Sequence, residues 1–240
     1  MGHDMTTTPP TSTPALGRRL VAEFLGTGLL VAIVVGSGIM ASRLSPDDVG
    51  LQLLENSLTT ALGLAVLILV LAPISGAHFN PVVSLVDLAA RRGRRPVETI
   101  AYLVAQIAGG IGGAILANAM FGLPTVVATT ERVDLGTLLG EIVATAGLIL
   151  VIHGLSRTGR PTLIAASVGA YIGAAYWFTS STSFANPAVT VGRVFSDTFA
   201  GIAPASALPF IGAQVVGGAI GLATATLLFP RTTTTTRTES

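Results

Sequence analysis

Several residue types that support common protein functions are missing or scarce in this sequence. There is no cysteine and no lysine among the 240 residues, so all 13 basic side chains are arginines. The missing cysteine excludes disulfides, thiolate metal sites and cysteine nucleophiles. Charged residues make up only 10% of the chain and the net charge is +1, which gives no electrostatic basis for binding nucleic acid. The three histidines have no matching carboxylate cluster, so we expect no metal site and no cofactor.

Apolar residues dominate the composition. They make up 50% of the chain, and its mean hydropathy of +0.74 exceeds that of a typical soluble domain. Crossing a hydrocarbon core of about 30 Å takes roughly 20 apolar helical residues. The sequence therefore predicts an all-α protein in a lipid bilayer, with six spans at about 19–42, 54–73, 97–121, 136–155, 162–179 and 206–229.

Two semi-apolar segments, one after Asn80-Pro81 and one after Asn186-Pro187, are too short to cross the bilayer. Asparagine is a favoured N-cap, and proline suits the first helical position because its missing N–H would be unpaired there. A single Asn-Pro pair is typical of a turn. Two copies at matching places instead predict two re-entrant half-helices, whose positive dipole ends face each other.

The chain also repeats itself. Each half carries a glutamate in its first span (Glu23, Glu141), an Asn-Pro pair, and a glutamine before a glycine pair in its third span (Gln106, Gln214). We expect a first repeat at 16–121 with its half-helix at 80–90, a loop at 122–135, and a second repeat at 136–230 with its half-helix at 186–196. Three spans in each half make the second copy inverted. The polar tails 1–15 and 231–240 are predicted to be disordered.

The arginines indicate the orientation in the membrane. If both termini are cytoplasmic, that side holds Arg18, Arg19, Arg91, Arg92, Arg94, Arg95, Arg157, Arg160, Arg231 and Arg237, and the other side holds Arg43, Arg132 and Arg193. This excess satisfies the positive-inside rule. We therefore predict a multi-pass protein of the inner (plasma) membrane with cytoplasmic termini, in which the basic run at 91–95 anchors the topology.

Taken together, these features resemble the aquaporin (major intrinsic protein) family over about residues 18–230. The matching residues are Glu23 with Gly26-Thr27, Ser75-Gly76, His78-Phe79-Asn80-Pro81, Gln106 with Gly109-Gly110, Glu141, and Asn186-Pro187-Ala188. The resemblance implies a right-handed bundle of six transmembrane helices with two half-helices, arranged as a 3+3 inverted repeat. It also implies a homotetramer with one pore per subunit, passive passage of small neutral solutes, and no enzymatic activity.

The same resemblance assigns roles to individual residues. The pore motifs are Asn80, Pro81 and Val82 and Asn186, Pro187 and Ala188, with the asparagines orienting the solute. Glu23 and Glu141, with Gln106 and Gln214, are expected to brace the re-entrant loops. His78 is expected to reach the cytoplasmic vestibule, and His153 is expected to be structural.

The family's selectivity filter is altered in this chain. Its arginine position is Val189, and the other filter positions are Ala174, Ser183, and either Thr60 or Leu62 depending on the register of the second span. Arg193 lies one helical turn farther along, and we expect that its side chain does not substitute. The filter is therefore predicted to be wide and to lack a cation.

The valine at this filter position resembles a bacterial branch of the family associated with arsenic-resistance operons. This suggests neutral metalloid hydroxides such as arsenous acid as solutes, and the alternative is a glycerol, urea or water facilitator. An ion-coupled transporter is disfavoured because only asparagine and backbone groups lie at the helix breaks. No Ser-His, Cys-His or paired-Asp arrangement supports an intramembrane enzyme.

Overall fold

The computed structural model describes residues 13–90 and 95–230, which form α-helices and one short 3-10 turn with no strand. The helices are α1 (Leu16–Leu44), α2 (Val49–Ser75), α3 (Pro81–Ala89), α4 (Pro96–Met120), α5 (Leu135–Arg157), α6 (Ile164–Phe178), α7 (Pro187–Arg193) and α8 (Pro204–Leu228). Outside the described residues lie positions 1–12 of the predicted disordered tail at 1–15, the whole of the tail at 231–240, and Arg91, Arg92 and Arg94 of the predicted anchor.

Five of these helices, α1, α2, α4, α5 and α8, are long and apolar enough to cross a membrane. The remaining predicted span, at about 162–179, corresponds to α6, which has 15 residues and follows a 3-10 turn at Pro161–Leu163. At about 1.5 Å per residue α6 is about 22 Å long, shorter than a full hydrocarbon core. Together with α3 and α7, which are shorter still, these elements confirm the predicted all-α membrane fold.

Local sequence signals fix several helix ends. The Asp48 side chain accepts a hydrogen bond from the backbone N–H of Leu51 at the start of α2. Asp134 and Thr137 form a reciprocal capping box at the start of α5. Gly76 ends α2 in the left-handed conformation at φ +90°, which glycine adopts without strain. This turn directs the chain back toward the centre of the bundle.

The two halves of the chain pack in the same way. In the first half α1 packs against α2 and α4, and in the second half α5 packs against α6 and α8. The halves join where α2 meets α6 and where each half-helix crosses over, since α7 packs against α4 and α1 while α3 contacts α8. Both half-helices are thereby held between the repeats.

Glycine permits the closest of these approaches. A Cβ atom added at Gly110 would lie 2.5 Å from the carbonyl oxygen of Ala188, and one added at Gly217 would lie 2.5 Å from that of Ile142. Real Cβ atoms essentially never come this close to another heavy atom. Small residues at these positions therefore let α4 reach α7 and let α8 reach α5, as is usual in membrane bundles.

Candidate functional site

A cavity of about 270 Å³ runs through the middle of the bundle. Its wall consists largely of apolar side chains spaced four residues apart on four helices, so that one face of each helix is exposed to the lumen. These residues are Leu30 and Val34 on α1, Thr60, Leu64 and Ile68 on α2, Leu148 and Ile152 on α5, and Ile164, Val168, Ile172 and Tyr176 on α6. The matching pattern on α1 and α5, and on α2 and α6, gives the cavity an approximate twofold repeat.

Asn80 and Asn186 meet at the middle of this cavity. Each caps its own half-helix, with Oδ1 of Asn80 accepting from the backbone N–H of Val82 and Oδ1 of Asn186 accepting from that of Ala188. Each Nδ2 also donates across the repeat, from Asn80 to the carbonyl of Ala185 at 2.8 Å and from Asn186 to that of Phe79 at 2.7 Å. A side-chain amide carries two hydrogens, so each asparagine keeps one donor beyond this cross-link.

Glu23 holds the segment that precedes Asn80. Its carboxylate accepts the backbone N–H groups of His78 at 3.0 Å and Phe79 at 2.7 Å, and also hydrogen bonds from Ser75 and Gln106. The side chain is completely buried. A buried carboxylate is tolerated when donors of this kind surround it.

Glu141 does the same in the second repeat. It accepts the backbone N–H groups of Phe184 and Ala185, each at 2.9 Å, and a hydrogen bond from Gln214 at 2.6 Å. Gln214 also donates to Thr190 on α7. The glutamate and glutamine therefore connect α5 and α8 to both the loop and the half-helix.

The segments that these glutamates hold are conformationally strained. Ala77 and Phe79 before the first asparagine, and Ser183 and Ala185 before the second, have φ between +49° and +53°. Residues with a Cβ rarely adopt this left-handed region, at a cost of about 1–3 kcal/mol each. The hydrogen bonds to the two carboxylates offset this cost. They also fix the backbone carbonyl groups of Phe79 and Ala185, which accept the hydrogen bonds from Asn186 and Asn80.

Val82 of the first motif fits because a glycine faces it. The valine is buried, and its Cγ1 lies where a side chain on Gly218 of α8 would have to be. At the corresponding place in the other half, Gly110 faces the Ala188 carbonyl. The larger residue is thus accommodated by packing.

The structure distinguishes the two candidate filter residues on α2. Thr60 is buried and lies on the cavity wall, where its hydroxyl is 3.3 Å from that of Tyr176. Leu62 is 62% exposed on the outside of the helix and does not line the cavity. At about 100° per residue, a shift of two residues turns the side chain to the opposite face. Of the two alternatives, Thr60 is therefore the residue of α2 that faces the cavity.

The prediction of Ala174 as a filter residue is also wrong. Ala174 is exposed and is absent from the cavity wall, which Ile172 and Tyr176 line on either side of it. Counting back from Asn186 without a gap placed the position two residues away from the lumen-facing row of α6. The aromatic ring of Tyr176 consequently stands where a small side chain was expected.

Val189 and Ser183 both lie on the cavity wall and are almost completely buried. Arg193, however, lines the same cavity, contrary to our expectation that it stands too far along α7. Its Nε donates to the carbonyl oxygen of Ala200, and its guanidinium carbon lies 3.4 Å from the centre of the Phe184 ring. We call the end of the cavity formed by Arg193, Phe184, Tyr176 and Thr60 the Arg193 mouth.

A second arginine stands beside this mouth. Arg132, in the loop before α5, donates to the carbonyl oxygens of Gly201 and Phe199, and its guanidinium lies 5.6 Å from the Phe184 ring. Burial lowers the pKa of Arg132. An arginine nevertheless keeps its proton in a protein, so the charge remains. Two arginines therefore stand at the Arg193 mouth.

The other end of the cavity is lined by His78, His153 and Asp87. The Nδ1 atom of His78 lies 3.0 Å from the hydroxyl oxygen of Ser84 on α3. His153 is buried and lies on the cavity wall rather than only within the packing of α5. Among the residues described, no group of three His, Asp or Glu side chains has metal-binding geometry.

Comparison with known proteins agrees with this architecture. A family model described as "Major intrinsic protein" matches residues 11–179, well over half of the chain. The chain belongs to the major intrinsic protein family. As a member it is a multi-pass membrane channel for small neutral solutes and not an enzyme.

Two curated relatives of this channel are informative. It is 50% identical over 210 residues to the aquaglyceroporin AqpS of Rhizobium meliloti (strain 1021), an alignment that covers 87% of this chain and 88% of the relative. It is 36% identical over 110 residues to the propanediol uptake facilitator PduF of Citrobacter freundii, covering 45% of this chain and 39% of the relative.

The fold has a solved counterpart. The X-ray structure of the aquaglyceroporin from Plasmodium falciparum superposes with a TM-score of 0.69 at 21% identity, covering 90% of this chain and 98% of the other. At this identity the likeness concerns the fold. It confirms the aquaporin-like arrangement that the sequence predicted.

Proposed function

We propose that this channel conducts small uncharged hydroxylated solutes larger than water, and that neutral metalloid hydroxides such as arsenous acid are among them. The observation that carries the proposal is the composition of the cavity wall, which is largely apolar between its two polar ends and has amide donors at its centre. Asn80 and Asn186 can each offer one hydrogen to a hydroxyl group that passes between them. Val189 adds apolar surface where the family pattern has arginine.

Polyols such as glycerol are the second candidate, and a specific observation favours them. The rings of Tyr176 and Phe184 and the guanidinium of Arg193 share one end of the cavity. A wall that is apolar on one side and donates hydrogen bonds on the other suits a molecule with a carbon backbone and several hydroxyls. The names of the two curated relatives, an aquaglyceroporin and a propanediol uptake facilitator, point to the same class of solute.

Flux measurements in proteoliposomes test the proposal. Purified channel would be reconstituted, and the entry of water, glycerol, urea and arsenous acid compared with that into empty liposomes. We expect both glycerol and arsenous acid to enter faster than in the controls. Glycerol flux without arsenous acid flux would reject the metalloid solute and leave the polyol.

Val189→Arg tests the part played by the missing arginine. A second guanidinium on this wall takes up space in the cavity, so flux of glycerol and arsenous acid is expected to fall by about tenfold or more, while water flux falls less. Val127→Arg, at an exposed valine of the loop before α5 that does not line the cavity, is the matched control. Unchanged glycerol flux in Val189→Arg would show that this position does not limit solute size.

We further propose that the channel is a homotetramer in the plasma membrane, with cytoplasmic termini and the Arg193 mouth facing outward. The excess of arginines on the side of the termini supports this orientation. Reporter fusions at the C-terminus that are active only inside the cell would test the topology. Mass measurement of the detergent-solubilised protein would test the tetramer.

A further inference from the structure

Arg193 has a geometry that packing alone does not explain. The residue is only 3% exposed and lies on the wall of the cavity. Within the described part of the chain the only ion pair closer than 4 Å joins Arg19 to Glu98, so no carboxylate there is in direct contact with Arg193, and Glu141 acts on it only at longer range. A buried cation without a carboxylate partner is costly, and in a membrane protein it is normally kept for a function.

The free donors of this guanidinium are its two terminal nitrogens. Its Nε donates a hydrogen bond to the carbonyl oxygen of Ala200, and the plane of the guanidinium lies over the Phe184 ring. Neither terminal nitrogen donates to an acceptor among the described residues, and neither is fully shielded from the lumen. The Ala200 and Phe184 contacts thus hold the group in place and leave two N–H pairs for the lumen.

Helix geometry explains how the side chain reaches this place. Arg193 follows Val189 by four residues on α7, so the two side chains lie on the same helix face. Helical side chains also lean toward the N-terminus of their helix and cover the preceding turn. Since α7 is capped by Asn186 in the middle of the cavity, a long side chain at 193 extends back toward the level of Val189.

We infer that Arg193 is the charge-selective residue of this channel, acting from one helical turn beyond Val189. Its fixed charge, reinforced by Arg132, repels cations at the Arg193 mouth, and its terminal nitrogens donate to the oxygens of an entering neutral solute. The second part of this inference rests on the proposed function, whereas the first does not. The lumen is thereby closed to cations although Val189 contributes no charge.

The test compares cation conductance with neutral-solute flux in the same preparations. Arg193→Met keeps a long unbranched side chain and removes the charge, and Arg193→Lys keeps the charge. Arg43→Gln is the matched control, because Arg43 also lies over a phenylalanine ring, that of Phe121, but is exposed and outside the cavity. Conductance to potassium and protons would be recorded in planar bilayers, and glycerol flux in liposomes.

We expect Arg193→Met to raise cation conductance by on the order of tenfold or more, because a nearby unit charge in a poorly solvated pore gives a barrier of at least this size. Arg193→Lys and Arg43→Gln should conduct cations no better than the unaltered protein. The double variant Val189→Arg with Arg193→Met should restore the low conductance by placing the guanidinium on the preceding turn. If Arg193→Met is not recovered folded, Arg193→Gln, whose amide can still donate to Ala200, replaces it with the same expectation.

The outcomes separate this inference from the proposed function. A folded Arg193→Met that keeps glycerol flux and has unchanged cation conductance would overturn the role of Arg193. An unaltered channel that passes neither glycerol nor arsenous acid would reject the proposed solutes, while the conductance comparison would still decide whether Arg193 excludes cations. A rise in conductance in Arg43→Gln equal to that in Arg193→Met would also overturn the inference, since the effect would not depend on the cavity.

Discussion

The carboxylate of Glu141 offers the sharpest test of how the pore is held in shape. Its two oxygens accept from different donors, Oε1 from Phe184 N–H and Oε2 from Ala185 N–H and Gln214. In Glu141→Gln one oxygen becomes an NH₂ group that cannot accept. Whichever way the amide turns, at least one buried backbone N–H loses its partner.

The expected cost follows from that loss. An unmade hydrogen bond at a buried donor costs about 1–3 kcal/mol. For a chain of this size, about 1 kcal/mol corresponds to roughly 2–4 °C in Tm, so we expect Tm to fall by roughly 2–12 °C. Solute flux should fall too, because Ala185 is held in a left-handed conformation and supplies the carbonyl to which Asn80 donates.

The assay is thermal unfolding of the detergent-solubilised protein, followed by the fluorescence of Trp177, together with glycerol flux in liposomes. Glu131→Gln is the matched control, since Glu131 is exposed and accepts one hydrogen bond, from Ser206. It should change Tm by no more than a few degrees and leave flux unaltered. If Glu141→Gln matched the control in both Tm and flux, the carboxylate would not be what holds the loop.

Three further predictions follow from the packing and the cavity wall. Thr60→Phe should lower glycerol flux by about tenfold or more by filling the lumen, whereas Leu62→Phe, on the outer face of the same helix, should leave it unchanged. Gly110→Val should prevent recovery of folded protein in a size-exclusion profile, because a Cβ there would lie 2.5 Å from a backbone carbonyl of α7. Val82→Ala removes two buried methyl groups next to Gly218, at a cost of about 1–2 kcal/mol, and should therefore lower Tm by a few degrees. A Tm above that of the unaltered protein would indicate that the valine is overpacked.

The long helices and the starts of the two half-helices could be predicted from the sequence. Hydrophobic length predicted the spans, and the Asn-Pro pairs predicted the starts of α3 and α7, because both signals are local. The structure begins these helices at Pro81 and Pro187 and ends them at Ala89 and Arg193. The half-helix predicted at 186–196 is therefore longer than the one observed, since nothing in the local sequence marks where α7 stops.

The filter positions were harder because they depend on register across loops. Ungapped counting from the asparagines selects Ala174 and Thr60, whereas the Ala61-Leu62-Gly63-Leu64 pattern selects Leu62. Such a count assumes that the intervening loop has a fixed length, and it leads to the lumen-facing row on α2 but not on α6. An error of two residues is small along the chain but turns a helical side chain by roughly 200°. The rows of apolar residues at intervals of four on α2 and α6, which include Thr60 and Tyr176, are the signal that would have found the lumen-facing side.

The inverted repeat shows where the two ends of this pore differ. Val83 and Val189 stand at matching positions of the two half-helices, separated by the same 106 residues as Asn80 and Asn186, and both line the cavity. The matching residues one turn farther along the half-helices are Asp87 and Arg193. Asp87 lines one end of the cavity and Arg193 lines the other. The centre of the pore is therefore chemically alike in its two halves, while the next turn carries opposite charges. Because a half-helix begins at the centre and runs outward, an entering solute passes the residue on this turn before it reaches the asparagines. The charge discrimination that we propose for Arg193 would therefore take place at an end of the pore and not at its Asn-Pro centre.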